Sequence, residues 1–238
     1  MTEWFEEWFG EEYLHLYPHR DEADADRAVG LIAAAVELEP GWRVLDIACG
    51  AGRHAAALEA RGARPVGLDL SPSLLRVARA RVNVPLVRGD LRDLPFRAGC
   101  ADLTVNLFTS FGYFEHDDEH AAALRGMLAT VRPGGWFAID YLNAPTVVRR
   151  LVPEETMMVG GREVLVTRRL SPDARFVYKT IGTPEGRRFV ERVRLFTPAE
   201  LEAMVAVNGF EVTHRFGDYH GGPLDGAAAR TILVARRS

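Results

Sequence analysis

A chain of 238 residues, 47% hydrophobic and 26% charged, has room for one large domain with a substantial core and carries no low-complexity tract. Its formal net charge of −4 argues against a protein whose main task is gripping a phosphate backbone, so nucleic acid is not the expected partner. Cys49 and Cys100 show no zinc-ligand spacing, no apolar run approaches the roughly 20 residues that cross a bilayer, and the acidic, aromatic start lacks a secretory pattern; the expectations are no metal, no membrane and a cytoplasmic location.

Bulky residues open the chain at helical spacing: Trp4 and Trp8, then Phe5, Phe9, Tyr13 and Tyr17, with Glu between them. They predict an amphipathic helix or two short ones. A second helix is expected from about Asp21 to Glu39, with acids in its first turn and Pro40-Gly41 ending it. Trp42 to Ala48 reads as a strand, Arg53 to Arg61 as a helix stopping at Gly62, and Arg64 to Leu70 as a second strand. Ser71 to Val82 is a helix opened by Ser71-Pro72. Strands follow at Pro85 to Gly89 and Ala101 to Phe108, then a helix at Asp117 to Val131, a turn at Pro133-Gly134-Gly135, and a strand at Trp136 to Leu142. This alternation predicts an α/β fold, a mostly parallel sheet with helices on both faces.

The rhythm then changes. Glu163 to Leu170, Arg175 to Ile181 and Arg187 to Leu195 look like three antiparallel strands, with turns at Ser171-Pro172-Asp173 and Thr183-Pro184-Glu185-Gly186. A helix from Thr197 to Val207 and strands at about Phe210 to Phe216 and Ala229 to Ala235 restore the α/β pattern. The expected organisation is one domain, 1–145 with 196–238, interrupted by an antiparallel β flap at 146–195. Between Thr146 and Leu195 ten Arg and one Lys face six acids, so the flap is a candidate surface for an anionic substrate or for a homodimer. Paired Arg on a strand point to opposite faces, so Arg149, Arg150, Arg168, Arg169, Arg187 and Arg188 cannot all face one ligand.

The chemistry concentrates at strand ends. In Val44-Leu45-Asp46-Ile47-Ala48-Cys49-Gly50-Ala51-Gly52-Arg53 a strand runs into a glycine turn and then a helix, which lets backbone approach a ligand closely and offers N-terminal amides. Asp69 ends the second strand and Asp90 the third. Each acid alone reads as a helix cap or turn former. At the ends of successive parallel strands they line one crevice, where Asp69 can accept from ribose hydroxyls and Asp90 from an adenine amine, with Leu70 and Leu91 flanking the ring.

Asp46 to Arg53, Asp69, Asp90 and the turn Val131 to Gly135 resemble the successive motifs of the class I S-adenosylmethionine-dependent methyltransferases, across Trp42 to Leu142. More narrowly, Cys49-Gly50-x-Gly52-Arg53-His54, Phe108 to Phe114 and Phe216 to Tyr219 are similar to a bacterial small-molecule group. The resemblance implies a Rossmann-like sheet of seven strands with the last antiparallel. It implies that S-adenosylmethionine binds with Ala48, Gly50 and Gly52 under its methionine and ribose, and with Asp46 near the methionine amino group. Asp69 would take the ribose, Asp90 and Leu91 the adenine, and Leu107 would close over the methionine. The function it implies is methyl transfer to a small-molecule acceptor by in-line displacement, to which the protein contributes chiefly proximity and orientation.

The acceptor pocket is expected beyond Asn106 to Tyr113, Tyr141 to Asn143 and Gly217 to His220. Tyr113, His116, Tyr141 and His220 are the candidate bases or donors, His220 the best placed of them in its glycine-rich loop. The N-terminal aromatic stripe is either packing or a lid, with Tyr17 and Arg20 as further candidate cofactor ligands, the aromatic face for the sulfonium and the guanidinium for the carboxylate. Alternatives are a non-catalytic cofactor-binding regulator, an RNA methyltransferase using the basic flap, and an NAD(P)-dependent oxidoreductase. The last is disfavoured because Gly50-Ala51-Gly52-Arg53-His54-Ala55 lacks a third glycine.

Overall fold

The computed structural model describes residues 3–10, 13, 22–159, 162–182, 186 and 188–238. A short helix α1 (Trp4–Trp8) precedes α2 (Glu22–Val36), after which strands and helices alternate. They are β1 (Arg43–Ile47), α3 (Arg53–Ala60), β2 (Arg64–Asp69), α4 (Pro72–Arg81), β3 (Leu86–Arg88), β4 (Ala101–Asn106), α5 (Asp117–Thr130) and β5 (Val131–Leu142). Helix α6 (Ala144–Arg150) leads into β6 (Glu154–Val159), β7 (Arg162–Leu170), β8 (Phe176–Gly182) and β9 (Arg188–Arg194). Then come α7 (Pro198–Ala206), β10 (Phe210–Phe216) and β11 (Arg230–Arg237).

The main sheet has seven strands in the order β10-β11-β5-β4-β1-β2-β3. All pairs among β1 to β5 are parallel, and β11 runs antiparallel to both β5 and β10, the Rossmann-like arrangement expected. Strands covered on both faces read as apolar runs, and the alternation of side chains divides the core into two layers. On one face Val29, Ile32 and Val36 of α2 pack on Val44, Leu103 and Val105. On the other, Ala123, Leu124, Met127 and Leu128 of α5 pack on Leu45, Ile47, Phe137 and Ile139. Local signals set the helix starts. The Ser71 hydroxyl accepts the Leu74 amide at 3.1 Å with Pro72 next in line, and Thr197 and Glu200 form a capping box on α7.

Three expectations are corrected. Pro133-Gly134-Gly135 is not a turn before the strand but an excursion within β5. Val131 lies opposite Ala101 and Trp136 opposite Leu103, so the register slips between them. Gly135 is required there, because a Cβ would stand 2.8 Å from the Asp102 carbonyl. Helix α6 was not expected at all. The flap has four strands, β6-β7-β8-β9, rather than three. Strand β6 has no sequence signal, because Glu154-Glu155-Thr156-Met157-Met158 has neither alternation nor many β-branched residues. Arg194, only 3% exposed, ties the flap to the core. Its Nε donates to Asp117 at 3.0 Å, its Nη2 to Glu200 at 3.2 Å, and its amide to the Gly112 carbonyl at 2.8 Å.

Candidate functional site

A cleft of about 910 Å³ opens at the carboxyl ends of β1 to β4, roofed by the flap and walled on one side by Phe5, Phe9 and Tyr13. Its floor is the bend after β1. Ala48 (φ 60°), Gly50 (φ 56°) and Gly52 (φ 80°) all lie in the left-handed region, which costs a residue with a side chain something and glycine little. A Cβ on Gly50 would meet nothing nearer than Leu74 Cδ1 at 4.0 Å, so the face above it is open to a ligand. Gly52 instead packs downward, where a Cβ would stand 3.2 Å from that of Ala78. Ala48 and Gly50 therefore line the cleft, and Gly52 supports it from beneath.

Asp69 closes this bend. Its Oδ2 accepts the Gly50 amide and its Oδ1 the Ser71 amide, both at 2.8 Å. Burial pushes its carboxyl up, and these amides oppose the shift. Asp46 lies behind the bend, 1% exposed, with neither carboxylate oxygen partnered among the described residues. The Ala55 amide and the Arg53 guanidinium are near enough to oppose the effect of burial and of the Asp69 charge, but the Asp46 carboxyl is still pushed up to about 7. Asp90 lines the cleft with Leu70 and Leu91, and is gripped by Arg92 through Nη2 at 2.7 Å and Nε at 3.1 Å. Burial alone would raise the Asp90 carboxyl, but the Arg92 hydrogen bonds and charge hold it below the usual carboxylate range.

Beyond the bend, Leu107 to Ser110 and Gly112 to Phe114 form the far wall. Phe108 (φ 60°) and Thr109 (φ 59°) are consecutive left-handed residues with side chains, a conformation that costs about 1–3 kcal/mol each unless the surroundings enforce it. Asp140 on β5 enforces it. Fully buried, its carboxylate accepts the Phe108 amide at 2.9 Å, the Tyr219 hydroxyl at 2.8 Å and Arg230 Nε at 2.7 Å, while its carbonyl accepts the Thr109 amide. Arg230 also reaches Thr109 Oγ1 at 3.2 Å and borders the cleft, with Arg53 and Arg230 each lying over the Phe108 ring.

The candidate acceptor residues separate accordingly. Tyr113 lines the cleft, its hydroxyl donating to the Thr109 carbonyl at 2.7 Å. Tyr141, one residue beyond Asp140, points to the opposite face of β5. It is fully buried against Phe111 and Phe196, donates to the Arg194 carbonyl, and has its phenol pushed above its ordinary range by burial. It is a packing residue and not a base. His220 is exposed and absent from the cleft lining, because the Asp218 carboxylate accepts the His220 and Gly222 amides and folds the loop so that the imidazole faces outward. Tyr219, its neighbour, holds Asp140 instead. His116 caps α5, its backbone amide donating to Glu119.

Tyr17 and Arg20 lie outside the described residues. The aromatic stripe before them packs over the cleft: Trp4 Nε1 donates to the Tyr113 carbonyl at 3.4 Å, Trp8 Nε1 to Glu191 at 2.7 Å, and the Ser71 hydroxyl to the Phe9 carbonyl. Of the flap arginines singled out from the sequence, Arg187 lies outside the described residues and only Arg168 reaches the cleft. Asp140, Arg230, Arg92, Lys179 and Glu191 carried no motif. Asp140 and Arg230 sit within strands that read simply as sheet, and no local pattern pairs residues 90 positions apart. Among the described residues no cluster of three or more His, Cys, Asp or Glu is placed to hold a metal, and no helix is long and apolar enough to cross a membrane.

A model of the methyltransferase domain family matches residues 44–135. The cypemycin N-terminal methyltransferase of Streptomyces sp is 30% identical over 228 residues, covering 87% of this chain and 89% of that protein. The dTDP-3-amino-3,4,6-trideoxy-alpha-D-glucopyranose N,N-dimethyltransferase of Streptomyces venezuelae is 31% identical, covering 76% and 78%. Among solved structures, S-adenosylmethionine-bound CalS10, an amino pentose methyltransferase from Micromonospora echinaspora, aligns with a TM-score of 0.70 at 27% identity, covering 96% and 97%.

Proposed function

The chain belongs to the class I S-adenosylmethionine-dependent methyltransferases acting on small molecules, and from that premise we propose that its acceptor atom is an amine nitrogen. The residues present fit the cofactor: the open face above Gly50 admits a ligand, and Asp69, Leu70, Asp90 and Leu91 line the cleft beside it. When bound, S-adenosylmethionine supplies a methyl group on a sulfonium for in-line displacement.

In this reading Ala48 and Gly50 cradle the methionine and ribose, and Asp46 answers the amino group from behind the bend. Asp69, whose oxygens each keep a further lone pair after accepting the Gly50 and Ser71 amides, takes the ribose hydroxyls. Asp90 and Leu91 hold the adenine, with Asp90 shared between that ring and Arg92. Leu107 closes the methionine side. Phe5, Phe9 and Tyr13 exclude water, and Tyr113 with the Asp140-held loop orients the acceptor. The flap, 146–195, serves as acceptor surface.

The observation that carries the nitrogen assignment is that, of two relatives spanning more than three quarters of this chain, one is named as an N,N-dimethyltransferase of an amino sugar and the other as an N-terminal methyltransferase, a peptide's N-terminus being an amine. The far wall agrees with it. Tyr113 is committed to the Thr109 carbonyl and Glu191 to Trp8 and Lys179, so an acceptor that attacks as a neutral amine suits this wall better than an alcohol needing a strong base. Labelled-methyl transfer to a panel of amines, phenols and activated carbons tests it. N-methylated products are expected; products methylated only on oxygen or carbon would overturn the assignment.

A further inference from the structure

Helix α5 turns a stripe of Ala123, Leu124, Met127 and Leu128 into the core, and helical period carries that stripe back to position 120. An apolar residue belongs there by that pattern, yet the position holds His120. It is fully buried among the rings of Phe111, Phe114 and Phe196, whose centroids lie between 5.1 and 5.4 Å from its own. Two polar ring atoms in such a place cost stability unless both are partnered. Both are, and the partners fix the form of the ring. Nδ1 lies 2.9 Å from the His116 carbonyl, which only accepts, so Nδ1 carries the hydrogen. Nε2 lies 3.2 Å from the Phe114 amide, which only donates, so Nε2 keeps its lone pair. The neutral Nδ1–H tautomer alone satisfies both.

What this lone pair holds is the far wall of the cleft. Residues 107–116 belong to no helix or strand, so the segment is positioned by the bonds its backbone makes elsewhere. Asp140 holds its first half, at Phe108 and Thr109. In its second half Tyr113 stands between two anchors. The Gly112 carbonyl accepts the Arg194 amide at 2.8 Å, and His120 accepts the Phe114 amide. Between these anchors the Tyr113 ring lines the cleft, and the Tyr113 carbonyl takes the Trp4 indole of α1.

Burial lowers the His120 pKa; the Gly112 and His116 carbonyls and the Asp117 charge oppose this, and the Arg194 charge adds to it. Around these groups Arg175 and Arg194 pair with Asp117, Glu200 pairs with Arg194, the Tyr141 phenol packs on Phe111, and Arg92 lies over the Phe114 ring. A proton on Nε2 turns that atom from acceptor to donor. It then opposes the Phe114 N–H and is drawn to the Gly112 carbonyl, which already serves Arg194. Both anchors beside Tyr113 are disturbed together. We propose that His120 is a positioning residue for methyl transfer, its Nε2 lone pair fixing the Tyr113 segment in the arrangement that receives the acceptor and releasing it when the ring is protonated. The inference rests on the methyl-transfer reading of this cleft and adds to it a residue that does not line the cleft.

Nitrogen-15 NMR of the protein loaded with S-adenosylhomocysteine reads the ring directly and needs no acceptor. Near neutral pH it should show Nδ1 protonated and Nε2 bare. On acidification below about pH 6.5, the ordinary imidazole value, the Tyr113 and Phe114 amide signals should shift in step with the His120 ring while those of β1 and β2 hold still. In transfer assays with an acceptor of the wild-type protein drawn from the panel above, His120→Leu raises acceptor KM about tenfold, the factor a lost buried hydrogen bond represents, with S-adenosylhomocysteine Kd within about twofold. His120→Gln, whose carbonyl can accept the Phe114 amide without titrating, recovers most of that loss. The ratio of wild-type to Gln-variant kcat/KM falls in acid, a ratio from which protonation of the acceptor itself cancels. An Nε2–H ring, Gln no better than Leu, or Tyr113 signals that ignore the titration of the ring overturns the proposal. So does a ring that titrates only as the whole chain unfolds. Failure of S-adenosylhomocysteine to bind the wild-type protein strikes instead the reading of the cleft on which the proposal rests.

Discussion

Asp140→Asn tests the hinge between fold and site. In the wild-type protein the fully buried carboxylate neutralises Arg230 and accepts three donors, from Phe108, Tyr219 and Arg230. The amide can still accept the Phe108 N–H, but its NH2 meets donors and its charge is gone. Breaking a buried ion pair from one side costs about 3–5 kcal/mol. Arg230 keeps 20% of its side-chain surface exposed, so the lower end, about 3 kcal/mol, is the fitting figure. For a chain of this size 1 kcal/mol moves Tm by roughly 2–4 °C, giving a fall of roughly 6–12 °C by scanning calorimetry. The released Phe108–Thr109 turn relaxes from its left-handed conformation, so KM for the acceptor rises about tenfold. Cofactor affinity, set at the other end of the cleft, stays within about twofold. Asp140→Asn combined with Arg230→Met restores most of the Tm without restoring the acceptor KM. A Tm fall below about 2 °C for the single variant, or a loss of cofactor affinity with acceptor KM unchanged, would refute the reasoning.

Asp69→Asn removes the charge that organises the Gly50 and Ser71 amides and, in the proposed site, the ribose; cofactor Kd by calorimetry rises at least about tenfold. Asp46 carries a pH signature. Its carboxyl titrates at about 7 when folded against 3.8 ordinarily, so the folded chain binds the extra proton between those values. The contribution of this group to stability therefore falls as pH rises from about 4 to about 7 and is level above that. Asp46→Asn is accordingly more stable than wild type at pH 8, with the difference closing near pH 4; an equal offset at both values would exclude burial of a charged form as the cause. His220→Ala leaves turnover of an identified acceptor unchanged, since the imidazole faces solvent, and a large loss in kcat/KM would return it to the site.

The proposed cofactor half is legible in the sequence because each of its residues stands at a position the βαβ rhythm itself defines. Asp69 and Asp90 terminate strands recognisable as apolar runs, and Gly50 follows another, so parallel geometry alone brings them to one edge. Asp46 and Gly52 belong to the same signal but act from behind the bend. The acceptor half was not legible, since its residues are joined by tertiary register. In Phe137-Ala138-Ile139-Asp140-Tyr141 the sequence offers two polar side chains, and choosing between them needs the face of β5 that meets the cleft. Tyr141 faces the Phe111 cluster and Asp140 the loop. Arg168, Lys179 and Glu191 likewise look like ordinary strand charges until pairing across β7, β8 and β9 aligns them in one row that lines the cleft. His220 stands in a glycine-rich loop, but the Asp218 carboxylate accepts that loop's amides and turns the ring away.

A crystal structure of the protein with S-adenosylhomocysteine bears most directly on the central claim. The nucleoside should lie along the tips of β1 to β3, its ribose hydroxyls within hydrogen-bonding distance of Asp69 and its adenine between Leu70 and Leu91 beside Asp90. A ligand lodged elsewhere, with the Asp69 oxygens serving only the Gly50 and Ser71 amides, would contradict it.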